Sequence, residues 1–166
     1  MEKTFPNSEL IVLEHLEKQD VIDYWNEFLQ NGEKENVLWE LEHYDIDEYF
    51  RRQFIDMRNR RYGLVVDGKL CGMLRISGRV NFPANGMLGY SIRPSMRCKG
   101  LGKLLIRMAT EHCAKHGPMP VTACVDVRNE ASRHILKKNG FVETGRVFDW
   151  KPNPEPRKAI ELSYWK

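Results

Sequence analysis

The stretch that most constrains this fold is a strand pattern that runs through a basic, glycine-containing turn into a helix pattern. Residues 87–92 form an apolar, strand-like run, and Pro94 and Ser95 interrupt it. After Gly100, residues recur at helical spacing on one side of a predicted helix: Leu101, Leu104, Leu105, Met108 and His112. The sequence therefore predicts a strand–turn–helix unit whose turn lies at a helix N-terminus.

This turn has the features of an anion-binding site. Backbone N–H groups at a helix start lack partners within the helix, and the helix dipole is positive there. Gly100 and Gly102 would let a phosphate approach the backbone closely, and Arg97, Lys99 and Lys103 add positive charge. The pattern is suited to a pyrophosphate.

Two common nucleotide motifs do not fit the turn. A Walker A loop would need glycine five residues before Gly102 and Ser or Thr after the lysine, but Arg97 and Leu104 stand there. A dinucleotide fingerprint would need glycine or alanine at Leu105. An Arg-x-x-Gly-x-Gly pattern remains.

Length and composition are those of one soluble domain. The 166 residues fit a single domain spanning 1–166, with 42% hydrophobic and 30% charged residues. A net charge of +3 is too small to favour nucleic acid as the main partner. No apolar run has the length of a signal peptide or a membrane span, so we expect a cytoplasmic protein without a membrane partner.

The cysteines and histidines do not predict a metal site. The four cysteines form no Cys-x-x-Cys pair, and their contexts are typical of reduced thiols. His112 and His116 have helical ligand spacing but lack a nearby partner motif. We therefore expect no metal.

The first half of the chain predicts a strand, two helices and a hairpin. A strand at 10–13 precedes a helix that Asp20 would cap and Asn31-Gly32 would end. A second helix would start at Asp45 or Asp47. Two apolar runs flank Asp67-Gly68, which is a strong hairpin signal. A turn at 81–86 leads to the strand at 87–92.

The second half predicts a strand, a helix and two further strands. The strand at 121–126 follows the helix after Gly102, so parallel pairing with 87–92 is expected. Asn129 can cap the next helix, which Asn139-Gly140 would end. Strands at 141–147 and 159–165 flank a Pro-rich loop at 151–156. The order is β-α-α-β-β-β-α-β-α-β-β.

Two motifs together resemble the GNAT superfamily of N-acetyltransferases. The first is the Arg-x-x-Gly-x-Gly turn, and the second is a helix that begins at Asn129 and ends in Gly140-Phe141. The element order also agrees, and a bacterial branch with a Gly-Tyr-Ser-Ile-Arg-Pro strand end is most similar. The resemblance implies an α/β (α+β) fold. Its mixed, mostly antiparallel central sheet would have a parallel β-α-β core and helices on both faces. Residues 1–60 would form the helical acceptor side, and 87–141 the acyl-CoA-binding core.

The resemblance also implies a cofactor site for acetyl-CoA. Ile92 would offer backbone hydrogen bonds to the pantetheine arm, and Asn129 and Ser132 would contact the arm from the other side. The backbone that would wrap the pyrophosphate comprises Arg97, Cys98, Lys99, Gly100, Leu101, Gly102 and Lys103. The simpler alternatives are an ordinary N-cap for Asn129 and a tight helix entry without a ligand for the two glycines.

One position departs from the family pattern. Many GNAT enzymes carry a tyrosine five residues before the late phenylalanine, and it protonates the departing thiolate. Leu136 stands there and cannot donate a proton. Either Tyr90, Ser132 or water serves instead, or the thiolate leaves without a proton donor.

The resulting hypothesis is direct transfer of an acetyl group from acetyl-CoA to a primary amine of a small molecule or peptide. The amine must lose a proton before it attacks, and Glu40, Glu42 and Asp126 are the candidate bases, although each could be an ordinary surface carboxylate. An acyl-cysteine route through Cys98 or Cys124 is less favoured, because neither has a histidine adjacent in sequence.

Two further readings and the assembly state stay open at this stage. The chain could be a catalytically silent acyl-CoA-binding or sensor module, which Leu136 makes worth testing. It could also be a phosphate-binding fold unrelated to acyl transfer. The amine acceptor is unidentified, and the protein is expected to be a monomer or a homodimer, since an exposed final strand could pair with another copy.

Overall fold

The structure, a computed structural model, describes residues 3–33, 45–55, 59–77, 88–150 and 157–165. The described strands are β1 (Ser8–Val12), β2 (Asn59–Val66), β3 (Lys69–Ser77), β4 (Leu88–Ile92), β5 (Val121–Asp126), β6 (Val142–Trp150) and β7 (Arg157–Tyr164). The described helices are α1 (Lys18–Gln30), α2 (Ile46–Ile55), α3 (Leu101–His116) and α4 (Glu130–Lys138). Within these residues, no helix is long and apolar enough to span a membrane.

The first sheet has the strand order β1-β2-β3-β4. β1 pairs antiparallel with β2, from Ser8 opposite Val66 to Val12 opposite Tyr62. Asp67 and Gly68 connect β2 to β3 with φ values of 49° and 75°. Two left-handed residues match the twist of a tight hairpin, so the predicted Asp-Gly turn is confirmed.

The second sheet has the order β5-β7-β6 and corrects two expectations. β5 pairs antiparallel with β7, and β4 belongs to the first sheet, so the expected parallel β-α-β pairing of 87–92 with 121–126 is wrong. Side-chain alternation identifies a strand but not its partner, and β7 matches β5 over all six residues. The expectation of an exposed final strand is also wrong, because β7 lies between β5 and β6.

The chain divides into two compact units, and the first comprises Met1–Leu74 and Tyr90–Leu101. Its core collects apolar side chains from α1, α2 and the first strands. In α1 the buried residues recur every three or four positions, as an amphipathic helix requires: Val21, Tyr24, Trp25 and Phe28. Glu17, not Asp20, is the N-cap residue, and Asp20 lies in the first turn, where its charge favours the helix dipole.

Helix ends in this unit follow the predicted signals. Gly32 has a φ of 73°, its N–H donates to Leu29 O at 3.1 Å, and Glu33 N–H donates to Phe28 O at 2.9 Å. This pair of hydrogen bonds is a Schellman motif, which confirms Asn31-Gly32 as the end of α1. At the start of α2, the Glu48 N–H donates to Asp45 Oδ1 at 2.8 Å, which confirms Asp45 as its cap.

The second unit comprises Arg75–Gly89 and Gly102–Lys166. β5 alternates buried and partly exposed residues, and its inward side chains are Val121, Ala123 and Val125. Asn139 is the C-cap of α4, and Gly140 has a φ of 88°, so the predicted Asn139-Gly140 helix end is confirmed. β6 extends to Trp150, three residues beyond the predicted end. The two-unit division does not test the expectation of one domain over 1–166.

Three sequence predictions lie outside the described residues. They are the candidate bases Glu40 and Glu42, the turn at 81–86 and the Pro-rich loop at 151–156.

Candidate active site

The turn between β4 and α3, hereafter the α3 turn (97–103), contains two left-handed residues. A 3-10 turn at Pro94–Met96 follows β4, and then Cys98 has a φ of 59° and Gly100 a φ of 89°. Lys99 between them does not share this conformation. Turns with left-handed residues can bring successive N–H groups to one concave face, a geometry that binds anions.

Part of the α3 turn has N–H groups without a backbone acceptor among the described residues, namely those of 98–100. Met96 N–H donates to Arg93 O at 2.9 Å and Arg97 N–H to Pro94 O at 3.3 Å. Among described residues, the amides of 98–100 have no backbone acceptor, and the first amides of α3 have none within the helix. A Cβ on Gly100 would lie 3.8 Å from Phe5 Cε2, an ordinary contact, so the dihedral angle rather than space requires glycine.

The Arg97 guanidinium is engaged elsewhere in the unit. Its Nη1 donates to both carboxylate oxygens of Glu33 at 2.9 Å, and its Nε donates to Ile92 O at 3.2 Å. The Cζ atom lies 5.3 Å from the centre of the Phe28 ring. The positive charge that the sequence assigns to an anion is therefore already paired with a carboxylate of the chain.

The lysines of the α3 turn differ in position. Lys99 Nζ folds back and donates to Ser95 O at 3.0 Å. Lys103 is exposed in the first turn of α3. The positive charges of these two lysines therefore lie beside the turn, and the backbone amides are its hydrogen-bond donors.

A partly buried ion pair supports the segment just before the α3 turn. The Ser95 N–H donates to Glu27 Oε1 at 2.6 Å, and Arg93 Nε lies 2.8 Å from Glu27 Oε2. Arg93, only 9% exposed, also donates from Nη1 to Leu70 O at 3.1 Å. Burial alone would raise the pKa of Glu27, but the Ser95 hydrogen bonds and the Arg93 charge outweigh it and lower that pKa.

A second polar contact joins α1 to β4. The Tyr24 hydroxyl lies 3.0 Å from Ser91 Oγ, and the Tyr24 side chain is fully buried. Burial raises the pKa of Tyr24 well above its ordinary value of 10.0, despite the hydrogen bond with Ser91. Tyr24 therefore stays a neutral phenol and acts as a fixed hydrogen-bonding anchor.

The start of α4 is capped by the side chain of its own N-cap residue. Asn129 Oδ1 accepts from the Ser132 N–H at 3.0 Å, so the N-cap reading of Asn129 is confirmed. Its contact with the pantetheine arm, and that of Ser132, stay predictions.

Asp126 at the end of β5 is poorly suited to act as a general base. Its carboxylate accepts from the Arg128 N–H at 2.9 Å and from the guanidinium at 2.9 Å and 3.1 Å. The Arg128 hydrogen bond is the main reason that the pKa of Asp126 is lowered. A carboxylate held in this way accepts a further proton weakly near neutral pH.

The cysteines differ in reactivity. Cys71 and Cys113 are buried, and burial raises the pKa of Cys113 to about 11 and that of Cys71 in the same direction. Cys98 is exposed in the α3 turn, and Cys124 is half-buried on β5. Among the described residues, no group of three or more His, Cys, Asp or Glu side chains could hold a metal ion.

Comparison with known proteins identifies the family. The sequence profile of the acetyltransferase (GNAT) domain matches residues 11–142, about four-fifths of the chain. The chain belongs to the GNAT family. It is therefore an acyl-CoA-dependent acetyltransferase by family, as the Arg-x-x-Gly-x-Gly turn and the Asn129 helix predicted.

A curated relative of this GNAT chain is YdaF of Bacillus subtilis strain 168, provisionally named a ribosomal N-acetyltransferase. The two are 27% identical over 135 residues, which cover 81% of this chain and 72% of YdaF.

Solved GNAT structures share the fold. RimL, a ribosomal L7/L12 α-N-protein acetyltransferase in complex with CoA, superposes with a TM-score of 0.76 at 15% identity, covering 96% of this chain and 94% of RimL. Spermidine N-acetyltransferase from Vibrio cholerae, with CoA and spermine, gives 0.72 at 20% identity and covers 95% of each chain. The mixed α+β class predicted from sequence is confirmed.

In this GNAT chain, the catalytic candidates are spread over several elements. Tyr90 lies half-buried in β4, and Leu136 is completely buried in α4. Glu40 and Glu42 lie outside the described residues. The catalytic roles of Tyr90, Glu40 and Glu42 stay predictions.

The sequence analysis did not identify the residues on and just after α1 that contact the segment before the α3 turn. The sequence analysis names none of Tyr24, Glu27 and Glu33 as site residues. The only available signal was position: Tyr24, Glu27 and Asn31 lie on one helical stripe that leads to the Schellman end. Helical periodicity reports which residues share a face, but it does not identify the distant segment that packs there.

Proposed function

We propose that the chain transfers an acetyl group from acetyl-CoA directly to a primary amine of a small molecule or peptide. The observation that carries this proposal is the α3 turn, where left-handed Cys98 and Gly100 orient a row of open amides at a helix start. A pyrophosphate, with two adjacent anionic groups, suits such a row better than a single carboxylate does.

The cofactor-binding residues are those of the family pattern. The backbone of 97–103 would hold the pyrophosphate, and the strand end at Ile92 would pair with the pantetheine amides. Acetyl-CoA supplies the activated thioester carbonyl. Strand-end N–H groups near Ile92 would stabilise the negative charge that develops on its oxygen.

Acetyl transfer needs a base that accepts the proton of the amine, and a proton donor for the departing thiolate unless it leaves unprotonated. The lowered pKa of Asp126 makes Glu40, Glu42 or a water chain the preferred base. Buried Leu136 provides no acid, so Tyr90, Ser132 or water would protonate the thiolate, or it would leave unprotonated. A thiolate tolerates that because its conjugate acid has a pKa of about 8–9.

The acceptor class follows from what relatives act on. One solved relative is an acetyltransferase for a protein α-amino group, and another is one for spermidine. Both acceptors present primary amines, and we propose the same group here. We also propose a cytoplasmic site of action, which the four free thiols support.

A silent acyl-CoA-binding module is the second candidate, and the complete burial of Leu136 at the usual acid position favours it. Such a module would bind acetyl-CoA without turning it over. It shares the cofactor site with the enzyme and differs only in the chemical step.

One pair of measurements separates these functions. A thermal shift assay with CoA should raise the melting temperature, since a ligand that binds only the folded state stabilises it. Thiol release from acetyl-CoA is then followed with peptides bearing free N-termini, spermidine, amino acids and aminoglycosides. Acetylation of any primary amine supports the enzyme. Binding without transfer to any acceptor supports the silent module, and no thermal shift with CoA overturns both.

A further inference from the structure

The C-terminal half of α1 contacts residues 91–97 in the same order along both segments. Tyr24 meets Ser91 at 3.0 Å, Glu27 meets Ser95 N–H at 2.6 Å, and Glu33 just past the helix meets Arg97 at 2.9 Å. The segment that leads from β4 into the α3 turn is thus fixed at successive points by side chains from one helix and its C-terminal motif.

We propose that Glu27 and Glu33 are positioning residues for the donor pyrophosphate, and that Arg97 is their partner rather than a phosphate ligand. The inference rests on the proposed function, because it concerns how the α3 turn is held for CoA. It assigns to the family arginine a role in fixing backbone geometry, and it adds two carboxylates that the motif does not contain.

The contacts of Arg97 support a positioning role. A guanidinium has a rigid, planar set of donors, and here they reach both Glu33 oxygens and the Ile92 carbonyl. One face of the group lies over Phe28. Arg97 thereby connects the end of β4 to the end of α1 at the residue where the α3 turn begins.

The backbone of α1 fixes Glu33 in turn. The Schellman motif holds the Glu33 N–H on Phe28 O, and Asn31 Nδ2 donates to Glu33 Oε2 at 2.6 Å. Glu33 is thus anchored by main chain and side chain before it meets Arg97. The Asn31-Gly32 helix stop therefore contributes to the geometry of a turn more than sixty residues away in sequence.

Glu27 fixes the other end of the same short segment. It accepts from the Ser95 amide and neutralises buried Arg93, whose Nη1 also reaches Leu70 O on β3. Ser95 lies within the 3-10 turn, so Glu27 sets the direction in which the backbone enters the α3 turn.

Electrostatics and positioning predict opposite results. Two carboxylates near a site for a polyanion repel it, so removing one should strengthen CoA binding if charge alone matters. If the carboxylates position the turn, removing one lets the amides move and weakens binding. The sign of the change therefore decides between the two roles.

The experiment measures CoA affinity by isothermal titration calorimetry with the full chain. The variants are Glu33→Gln, Glu27→Gln, Arg97→Lys and Arg97→Gln, each first checked for folding by circular dichroism. Glu48→Gln is the matched control, because Glu48 is also paired with arginines, Arg51 and Arg52, but lies on α2. Titrations are repeated at low and high NaCl concentration, which screens charge effects but not a displaced backbone.

We expect Glu33→Gln and Glu27→Gln to raise the dissociation constant about tenfold at both salt concentrations, and the control to change it less than about twofold. Arg97→Lys should lose as much affinity as Arg97→Gln, since lysine keeps the charge but not the planar set of donors. Unchanged or tighter binding by Glu33→Gln, or retention of affinity by Arg97→Lys alone, would overturn the positioning role.

This experiment distinguishes failure of the proposed function from failure of the positioning role. A wild-type chain that does not bind CoA overturns the proposed function, and the positioning role with it. A wild-type chain that binds CoA as tightly as all four variants overturns only the positioning role. If Glu27→Gln does not fold, Glu33→Gln and the two Arg97 variants still give the decisive comparison.

Discussion

Two strand–turn–helix segments, β4 to α3 and β5 to α4, have helix starts that are built in opposite ways. At α4, the Asn129 side chain accepts the Ser132 N–H, so the helix caps itself. At α3, the amides of 98–100 have no backbone acceptor among the described residues, and support comes from Glu27 of α1 and from Glu33 just past its end. A helix start that is held from outside keeps its N–H groups for a ligand.

This difference supports different roles for two similar strand–turn–helix patterns: a self-capped helix at α4 and a proposed anion site at α3. A cap residue satisfies the orphan donors at once and stabilises the helix by about 1 kcal/mol. A turn without a cap loses that stabilisation, but its unmet donors can serve an anion, as we propose for the α3 turn. The cost at α3 is offset by the Glu27–Arg93 pair and the Arg97 contacts, which act on the segment just before the helix.

The largest expected effect comes from removing the outside support of α3. Glu27→Gln leaves the buried Arg93 charge without its carboxylate, and we expect a loss of about 2 kcal/mol in the free energy of unfolding at pH 7. This is below the value for a fully buried pair, because 26% of the Glu27 side chain is exposed. Urea unfolding measures the loss.

Glu27→Gln should also make the free energy of unfolding depend less on pH in the acidic range. The folded pKa of Glu27 lies below its ordinary value of 4.5, so its contribution is complete above the unfolded pKa. It is lost as the pH falls through the folded pKa, and the gap between wild type and variant should close below about pH 4.5. A gap that is constant from pH 7 to pH 3 would contradict the ionised role of Glu27.

The next effect concerns the open amides themselves. Gly100→Ala introduces a Cβ at a φ of 89°, and relief of this strain would rotate the neighbouring N–H groups. We expect about a tenfold weaker affinity for CoA, equivalent to about 1.4 kcal/mol. The same titration on Gly68→Ala is the control, since Gly68 has a φ of 75° in the β2–β3 turn. Equal losses in the two variants would show that general strain, not the α3 turn, is responsible.

At α4, the cap and the predicted cofactor contact can be separated. Asn129→Ala should lower the free energy of unfolding by about 1 kcal/mol, whereas Asn129→Asp should retain it, because aspartate caps equally well. If the Asn129 amide also donates to the pantetheine arm, the aspartate variant will bind CoA more weakly despite its normal stability. Thermal denaturation and calorimetry on both variants give the answer, and full CoA affinity in Asn129→Asp would limit Asn129 to capping.

The smallest effect is expected at Cys98, a non-glycine residue in the left-handed region. Asparagine adopts this conformation more readily, so Cys98→Asn should raise the free energy of unfolding by about 0.5 kcal/mol. CoA affinity should not change, because the backbone geometry is kept. A large loss of affinity would mean that the thiol itself contacts the donor.

Local signals in the sequence predicted most of the fold. Asp67-Gly68, Asn31-Gly32 and the Asn129 cap each act through their own neighbours, and the structure confirms all three. The β5–β7 pairing was missed, because strand partners depend on edge matching between distant segments that alternation does not report.

In the candidate site, too, features that depend on neighbouring residues were predicted from the sequence, and contacts between distant segments were not. The glycines and open amides of the α3 turn follow from its own residues. The partners of Arg97 and Arg93 do not, since Glu33 and Glu27 resemble ordinary helix carboxylates until the packing of α1 is known. Charge counting alone therefore assigned Arg97 to the ligand, while the structure pairs it with Glu33.

The most direct test of the account follows the backbone amides while CoA binds. A nitrogen-15-labelled chain is titrated with CoA, and amide chemical shifts are recorded for the two helix starts. The account predicts the largest downfield shifts at 98–103, where N–H groups acquire a phosphate acceptor, and smaller changes at Ser132, whose N–H already has Asn129 Oδ1. Saturable CoA binding that leaves the amides of 98–103 unshifted would contradict it.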